Sequence, residues 1–147
     1  MPHPAIREHQ PGDLPGILAL QAAADVDLAA RVPDDFYDDL RHVDAAYHGG
    51  ALLVAELDGT IVGMGGLLPT GEIVRMRTDP GQRRKGIASG ILSALLARAG
   101  QRRLKRVFLH TLREQTAAQQ LYLTAGFRES GRGEIHGNPV IAYEKWL

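Results

Sequence analysis

The sequence predicts one α/β domain built around a mixed β-sheet, and three observations carry that expectation. The chain has 147 residues, the length of one ordinary domain with room for a sizeable core. Its middle holds "ALLVAELDGTIVGMGGLL", two apolar strand patterns joined at Asp58-Gly59, a two-residue hairpin signal. Strand, helix, strand, helix and strand patterns then follow in order from Glu72 to Trp146, the alternation of a layered α/β architecture.

Taken in order, "AIR" (Ala5–Arg7) reads as a short first strand. Asp13 is the expected N-cap of a helix carrying Leu14, Ile17, Leu18 and Ala22 on one side. Asp34, after Pro33, is expected to cap a second helix that ends near Gly49-Gly50. Ala51–Leu57 and "TIVGMGGLL" are the hairpin strands. The second is thinned by Gly63, Gly65 and Gly66, where neighbours can approach the backbone. "EIVRMRT" (Glu72–Thr78) alternates, placing Glu72, Val74, Met76 and Thr78 on one face and Ile73, Arg75 and Arg77 on the other. After the loop "DPGQRRKG", a helix to about Ala99 has Ile87, Ile91, Leu92, Leu95 and Leu96 at core spacing. "KRVFLHT" is the next strand, and "EQTAAQQLYLTAG" is a helix with Gly126 as its stop. A stretch from Phe127, broken by Gly131, Gly133 and Gly137, ends in the strand "VIAYEKW". There is no repeat, linker or low-complexity segment.

Composition narrows the function classes. The chain contains no cysteine, which excludes a disulfide framework, a thiolate nucleophile and Cys-ligated zinc. No apolar run approaches a membrane span and "MPHPAIREHQ" is no signal peptide, so a cytoplasmic protein without a membrane role is expected. No grouping of histidines and carboxylates has metal-ligand spacing, so no metal is expected. Net charge is zero but uneven: residues 1–70 carry −8 and residues 71–147 carry +8. The second half is suited to meet an anion, unless its cations are simply a solvated surface.

Arg83, Arg84 and Lys85 stand immediately before a helix, whose N-terminus already carries partial positive charge. Cations there call for something negative in front of them. A strand, a loop with Gly86 and a helix start form a phosphate cradle, because first-turn N–H groups lack intrahelical partners and glycine admits close approach. The stretch is neither a P-loop nor a dinucleotide fingerprint, since neither G-x-x-x-x-G-K-[ST] nor G-x-G-x-x-G is present. A nucleic-acid module using "RRLKR" (Arg102–Arg106) is the rival from another class. Only Phe108 lies near for stacking, and the acidic first half would repel a phosphate backbone, so no nucleic-acid partner is expected.

Arg83-Arg84-Lys85-Gly86-Ile87-Ala88 resembles the acyl-CoA-binding signature Q/R-x-x-G-x-G/A of the GNAT N-acetyltransferase superfamily. Other pieces resemble that family in the same order: "IR" with Asp13, Ile17 and Leu20, then "LVAELDGTIVG", "EIVRMRTDP" and "TAAQQLYLTAGF". The resemblance covers most of the chain. It implies a single GNAT domain over residues 1–147, with a mostly antiparallel sheet flanked by about four helices. It also implies acetyl-CoA as co-substrate and direct acetyl transfer to an amine, without an acetyl-enzyme. Ala88 stands where glycine is commoner, and Gln115 where the late motif often has asparagine.

On this resemblance, Arg83, Arg84, Lys85, Gly86, Ile87, Ala88 and Gln115 are the expected cofactor-binding residues. Met76, Arg77 and Thr78 are expected to offer backbone groups to the pantetheine arm. Tyr122, four residues before Gly126, is the candidate acid for the departing thiolate; packing on Leu121 and Phe127 is the alternative. Glu72, eleven residues before Arg83, is the candidate base, at the offset of the catalytic glutamate in the histone-acetylating branch. Apolar neighbours would raise its pKa toward usefulness. His110, on the Phe108 side of its strand, is the rival base, and His42 and His48 have weaker claims.

The acceptor is left open between a small-molecule amine and a peptide or protein amine, as is a homodimer. A CoA-binding sensor without turnover is a further alternative. Asp25, Asp27, Asp34, Asp35, Asp38, Asp39 and Asp44, opposed only by Arg31 and Arg41, would suit a cationic acceptor if the first two helices wall its site, as the resemblance implies. An ordinary solvated acidic face is the alternative.

Overall fold

A computed structural model of the chain describes residues 3–25, 28 and 31–147. Strands β1 (Ala5–Glu8), β2 (Ala51–Leu57), β3 (Thr60–Leu67) and β4 (Ile73–Thr78) form an antiparallel sheet in that order. Strands β5 (Arg106–Leu112), β6 (Arg128–Ile135) and β7 (Asn138–Trp146) form a second sheet with β7 between β5 and β6. The α-helices are α1 (Leu14–Ala24), α2 (Val43–Ala46), α3 (Ile87–Gln101) and α4 (Thr116–Thr124). Asp58 and Gly59, at φ 51° and 80°, make the expected β2–β3 turn. Gly126, at φ 94°, follows α4 as its stop, and Phe127 N–H donates to the Tyr122 carbonyl at 3.0 Å. The glycine-broken stretch after Phe127 is a strand after all, β6, and it turns into β7 at His136-Gly137.

The first sheet is covered on both faces. Ile91, Leu92 and Leu95 of α3 pack with Leu53, Ala55 and Val62 on one side. Ile17 and Leu20 of α1, with Leu40 and Tyr47, pack with Val54 and Met64 on the other. The glycines of β3 serve the close approach of α3: a Cβ on Gly63 would lie 2.6 Å from Ile87 Cγ2, and one on Gly65 2.7 Å from Ile91 Cγ2. Val107, Leu109, Ile141 and Tyr143 carry the α3 core into the second sheet, joined there by Tyr122 and Phe127.

Three expectations are corrected. The second helix is a 3-10 segment over Asp34–Arg41 followed by the single turn of α2. Asp34 is the first residue of that segment and not its cap, no side chain caps it, and Asp39 accepts from Tyr47 Oη at 2.6 Å. Asp13 holds the position before α1, but its carboxylate accepts from Arg7 at 2.8 and 2.9 Å and from Gln10 N–H at 2.7 Å, not from the first turn of the helix. The alternation of β4 breaks at Arg75. Val74 faces Gly66 and Arg77 faces Met64, so β4 carries one extra residue, a bulge with Arg75 at φ 58°. Val74 accordingly packs with the α1 cluster and Met76 with the α3 cluster, not on one face.

The expected mixed sheet parts into two. β4 and β5 meet only in the parallel bridge between Glu72 and Phe108, where Phe108 N–H donates to the Gly71 carbonyl at 3.1 Å. Beyond it the strands share no ladder, and an opening lies between their carboxyl ends. Gly71 makes the junction: its φ is 98°, and a Cβ there would stand 2.6 Å from the Arg106 carbonyl oxygen. Gly71→Ala should therefore destabilise the fold by about 2 kcal/mol, from the left-handed backbone and the clash together. In thermal unfolding this reads as a midpoint lower by about 4–8 °C. An unchanged midpoint would contradict the junction.

Candidate active site

The loop after β4 leads from Asp79 to Gly86. Asp79 accepts from Gly81 N–H at 2.8 Å and fixes the first bend. Arg83, Arg84, Lys85 and Gly86 are exposed, and among the described residues none of the three cations has an ion-pair partner. Lys85 donates only to Gln82 Oε1, at 3.1 Å. The cations sit in the loop ahead of the helix, and Gly86, at φ 79°, is the residue from which α3 starts. A Cβ on Gly86 would meet no heavy atom within 4 Å, so chain packing does not demand glycine there; the left-handed backbone does. Gly90 N–H donates to the Gly86 carbonyl at 2.9 Å, the first bond of the helix. The N–H groups of Ile87 and Ala88 precede it and have no intrahelical acceptor. The Ile87 side chain is buried in the core, so it can offer a ligand only its backbone.

β4 supplies the second element. Asp79 N–H donates to the Val62 carbonyl at 2.9 Å, and bonded and non-bonded pairs alternate along an antiparallel ladder. Arg77, opposite Met64, therefore turns its backbone groups toward β3, whereas Met76 and Thr78 turn theirs toward the edge that β5 has left. The Arg77 side chain bends back to donate to the Met76 carbonyl at 2.9 Å. Of the expected trio, Met76 and Thr78 have the backbone direction suited to a strand-like ligand.

Tyr122 is 5% exposed, edge-on to Phe127 at 5.8 Å and beside Tyr143 at 6.1 Å. Burial pushes its phenol up to about 12, opposed by the positive charge of Arg77. Packing and a proton-holding hydroxyl are thus found in one residue. Glu72 and His110, read as rivals, are neighbours across the strand junction, with Glu72 Oε2 and His110 Nδ1 3.7 Å apart. Their side chains are 31% and 38% exposed, so the desolvated setting expected for Glu72 is absent. Gln115 stands at the N-terminus of α4 and accepts from Thr111 Oγ1 at 3.1 Å. His42 and His48 are exposed.

The acidic segment is partly spent on the protein itself. Asp25, 5% exposed, accepts from Gln21 Nε2 at 2.6 Å and Tyr37 Oη at 2.9 Å. Its Oδ1 also stands 2.8 Å from Arg77 Nε, an ion pair whose N–H direction misses the carboxylate and leaves that buried donor without an acceptor. Asp39 holds Arg75 at 2.7 and 3.1 Å. Asp34, Asp35, Asp38 and Asp44 are exposed, and Asp27 lies outside the described residues. Sequence reasoning missed Arg75, Asp25, Asp39 and Tyr37 as a set, because the arginines that oppose the acids come from β4, far along the chain. Arg31 reaches across to Asn138 Oδ1 at 2.8 Å and Glu114 Oε1 at 2.6 Å. A cavity of about 320 Å³ lies elsewhere, between the start of α1 and the β2–β3 turn, and Arg7 in it is already bound by Asp13 and Glu56.

The family model of the acetyltransferase (GNAT) family matches residues 17–127. No match was found among curated proteins. Among solved structures, an acetyltransferase of the GNAT family from Staphylococcus aureus Mu50 superposes with a TM-score of 0.88 at 20% identity, covering 98% of this chain and 99% of that one. An acetyltransferase from Streptococcus agalactiae 2603 gives 0.88 at 17% identity over 100% of both chains. The structure of yncA, a putative acetyltransferase from Salmonella typhimurium with its cofactor acetyl-CoA, gives 0.80 at 18% identity over 99% of this chain and 95% of that one. At these identities the likeness shows the shared fold; the family model, which matches most of the sequence, shows the membership. The chain belongs to the GNAT acetyltransferase family.

Proposed function

We propose that the protein is an acetyl-CoA-dependent N-acetyltransferase that moves the acetyl group directly to a primary amine of a small molecule or peptide. The observation that carries this is the vacated edge of β4 running into the loop of three unpaired cations and the amide-bearing start of α3. Acetyl-CoA, when bound, supplies the acetyl thioester. The residues present fit it: Met76 and Thr78 offer backbone groups to the amide-containing arm, and Arg83, Arg84, Lys85 and the N–H groups of Ile87 and Ala88 suit a pyrophosphate. The cradle has space before Gly86 that a side chain would fill. The absence of cysteine agrees with transfer that passes through no thioester on the enzyme.

Two protons must be managed. An acceptor amine is an ammonium near neutral pH and must lose one, and a departing thiolate gains one. Glu72, paired with His110, stands at the apex of the opening and takes the first, directly or through the imidazole. Tyr122 holds the second at its Oη, and its raised pKa keeps it protonated at neutral pH. The remaining exposed aspartates of segment 34–44 favour a cationic acceptor by field, while Asp25 and Asp39 are already compensated.

Calorimetry tests the cofactor assignment. Acetyl-CoA is expected to bind and to raise the unfolding temperature by mass action, and Gly86→Glu to abolish both. No binding to the unmodified protein would overturn the proposal. For the leaving group, Tyr122→Phe should leave acetyl-CoA affinity unchanged and lower turnover by roughly 10- to 10⁴-fold. The same variant should remove one phenol from the absorbance titration near pH 12. Because the folded pKa lies above the unfolded value near 10, the stability linked to Tyr122 is flat below about pH 10 and falls as pH rises to about 12. For the acceptor proton, Glu72→Gln should lower turnover by roughly 10- to 10⁴-fold with acetyl-CoA affinity unchanged, and raising the pH should restore part of it because more acceptor amine is then neutral. His110→Gln should cost less. A turnover that survives Glu72→Gln and collapses in His110→Gln transfers the role to the imidazole.

A further inference from the structure

Among the described residues, Arg75 is the only non-glycine residue with positive φ inside a strand; Asp58, Arg84, Arg103 and His136 lie in turns or loops. A left-handed backbone at a side-chain-bearing residue is unfavourable and persists only where its surroundings impose it. Those surroundings come from one segment. Asp39 accepts from Arg75 Nη2 at 2.7 Å and from Nε at 3.1 Å, a bidentate pair. The Phe36 carbonyl also accepts from Nη2. The guanidinium stacks on the rings of Phe36 at 4.6 Å and Tyr37 at 5.0 Å. The Arg75 side chain is 12% exposed. All four groups belong to the 3-10 segment Asp34–Arg41. The same segment meets the β6–β7 turn, where Phe36 and His136 pack edge-on at 5.7 Å. It therefore lies between the β4 side and the second sheet, over the opening that β4 and β5 leave.

The bulge at Arg75 has a direct consequence for the next residues. It turns Met76 onto the α3 face and sets the phase in which Met76 and Thr78 point their backbone groups at the open edge. The arginine that decides this phase is thus clamped from the acceptor side. We infer that Arg75 is a positioning residue that couples the acceptor-side segment 34–41 to the cofactor edge of β4. The clamp on Asp39 and Phe36 holds the bulge, the bulge presents the edge, and whatever fills the edge tightens the clamp. Coupling of this kind is reciprocal, so order in segment 34–41 and occupancy of the edge favour one another. The inference rests on the reading of that edge as the acetyl-CoA site.

The test is hydrogen exchange of the amides in 34–41, measured with and without saturating acetyl-CoA, beside calorimetric affinities. In the unmodified protein, acetyl-CoA should slow exchange in this segment by about 5-fold or more, the lower end of a typical coupling. Arg75→Gly keeps the left-handed backbone and removes the clamp. Asp39→Asn opens the clamp from the other side and leaves β4 intact. By reciprocity both variants should bind acetyl-CoA about 5-fold or more weakly, and both should lose the slowing. Slowing that persists in the two variants, binding without slowing in the unmodified protein, or unchanged affinity in both variants would overturn the coupling. A loss of affinity in Arg75→Gly that Asp39→Asn does not share would make Arg75 part of the binding surface instead. Failure of acetyl-CoA to bind the unmodified protein would remove the reading of the edge, and the coupling with it.

Discussion

The parting of β4 from β5 after one bridge is the constraint on which the rest of the structure depends. Unpaired backbone groups inside a sheet are costly to bury, so a strand that loses its neighbour must face water or a ligand with its own amides. Gly71 sets the last point of contact, because its backbone meets the Arg106 carbonyl too closely for any side chain. Further along, the bulge at Arg75 shifts β4 against β3 by one residue. The result is a free edge at the end of the first sheet, half-exposed from Val74 to Thr78. The loop Asp79–Gly86 joins that edge to the start of α3, so strand amides, loop cations and helix amides follow one another along the chain.

The uneven charge of the chain takes on a structural meaning. The acidic first half and the basic second half meet through Arg77 on Asp25 and Arg75 on Asp39, while the exposed pair of Arg31 and Glu114 crosses in the opposite sense. The first two pairs are shielded enough to resist solvent screening better than surface pairs, although desolvation offsets much of the attraction. Their value lies in geometry: beside the apolar cluster that α1, the 3-10 segment and β4 share, they fix how the arginines of β4 meet Asp25 and Asp39. Arg83, Arg84 and Lys85 take no part in these pairs.

Much of the fold was legible because its signals are local. The Asp58-Gly59 turn, the apolar periodicity of α3 and the Gly126 stop each depend on a few adjacent residues, and each appears where the sequence places it. The loop cations and Gly86 were equally visible. The failures share a cause, which is distance along the chain. Alternation could not show that Arg75 would be captured by Asp39, 36 residues earlier, and so could not show the bulge. Asp13 reads as a cap until Arg7 claims it. The aspartates around residue 39 read as a free acidic wall until β4 supplies its arginines. Glu72 and His110 looked like alternatives on separate strands, and the single β4–β5 bridge is what makes them neighbours.

The central claim is that one continuous groove, from the free edge of β4 to the start of α3, receives the coenzyme. Amide NMR of the protein titrated with coenzyme A tests it most directly, because it reports each backbone N–H separately. The account predicts that the largest shifts fall on Met76, Thr78 and the run Arg83–Ala88, with the strands of the β6–β7 hairpin little changed. Shifts centred elsewhere, such as on the Arg7–Asp13 cavity, or no shifts at millimolar coenzyme A, would contradict it.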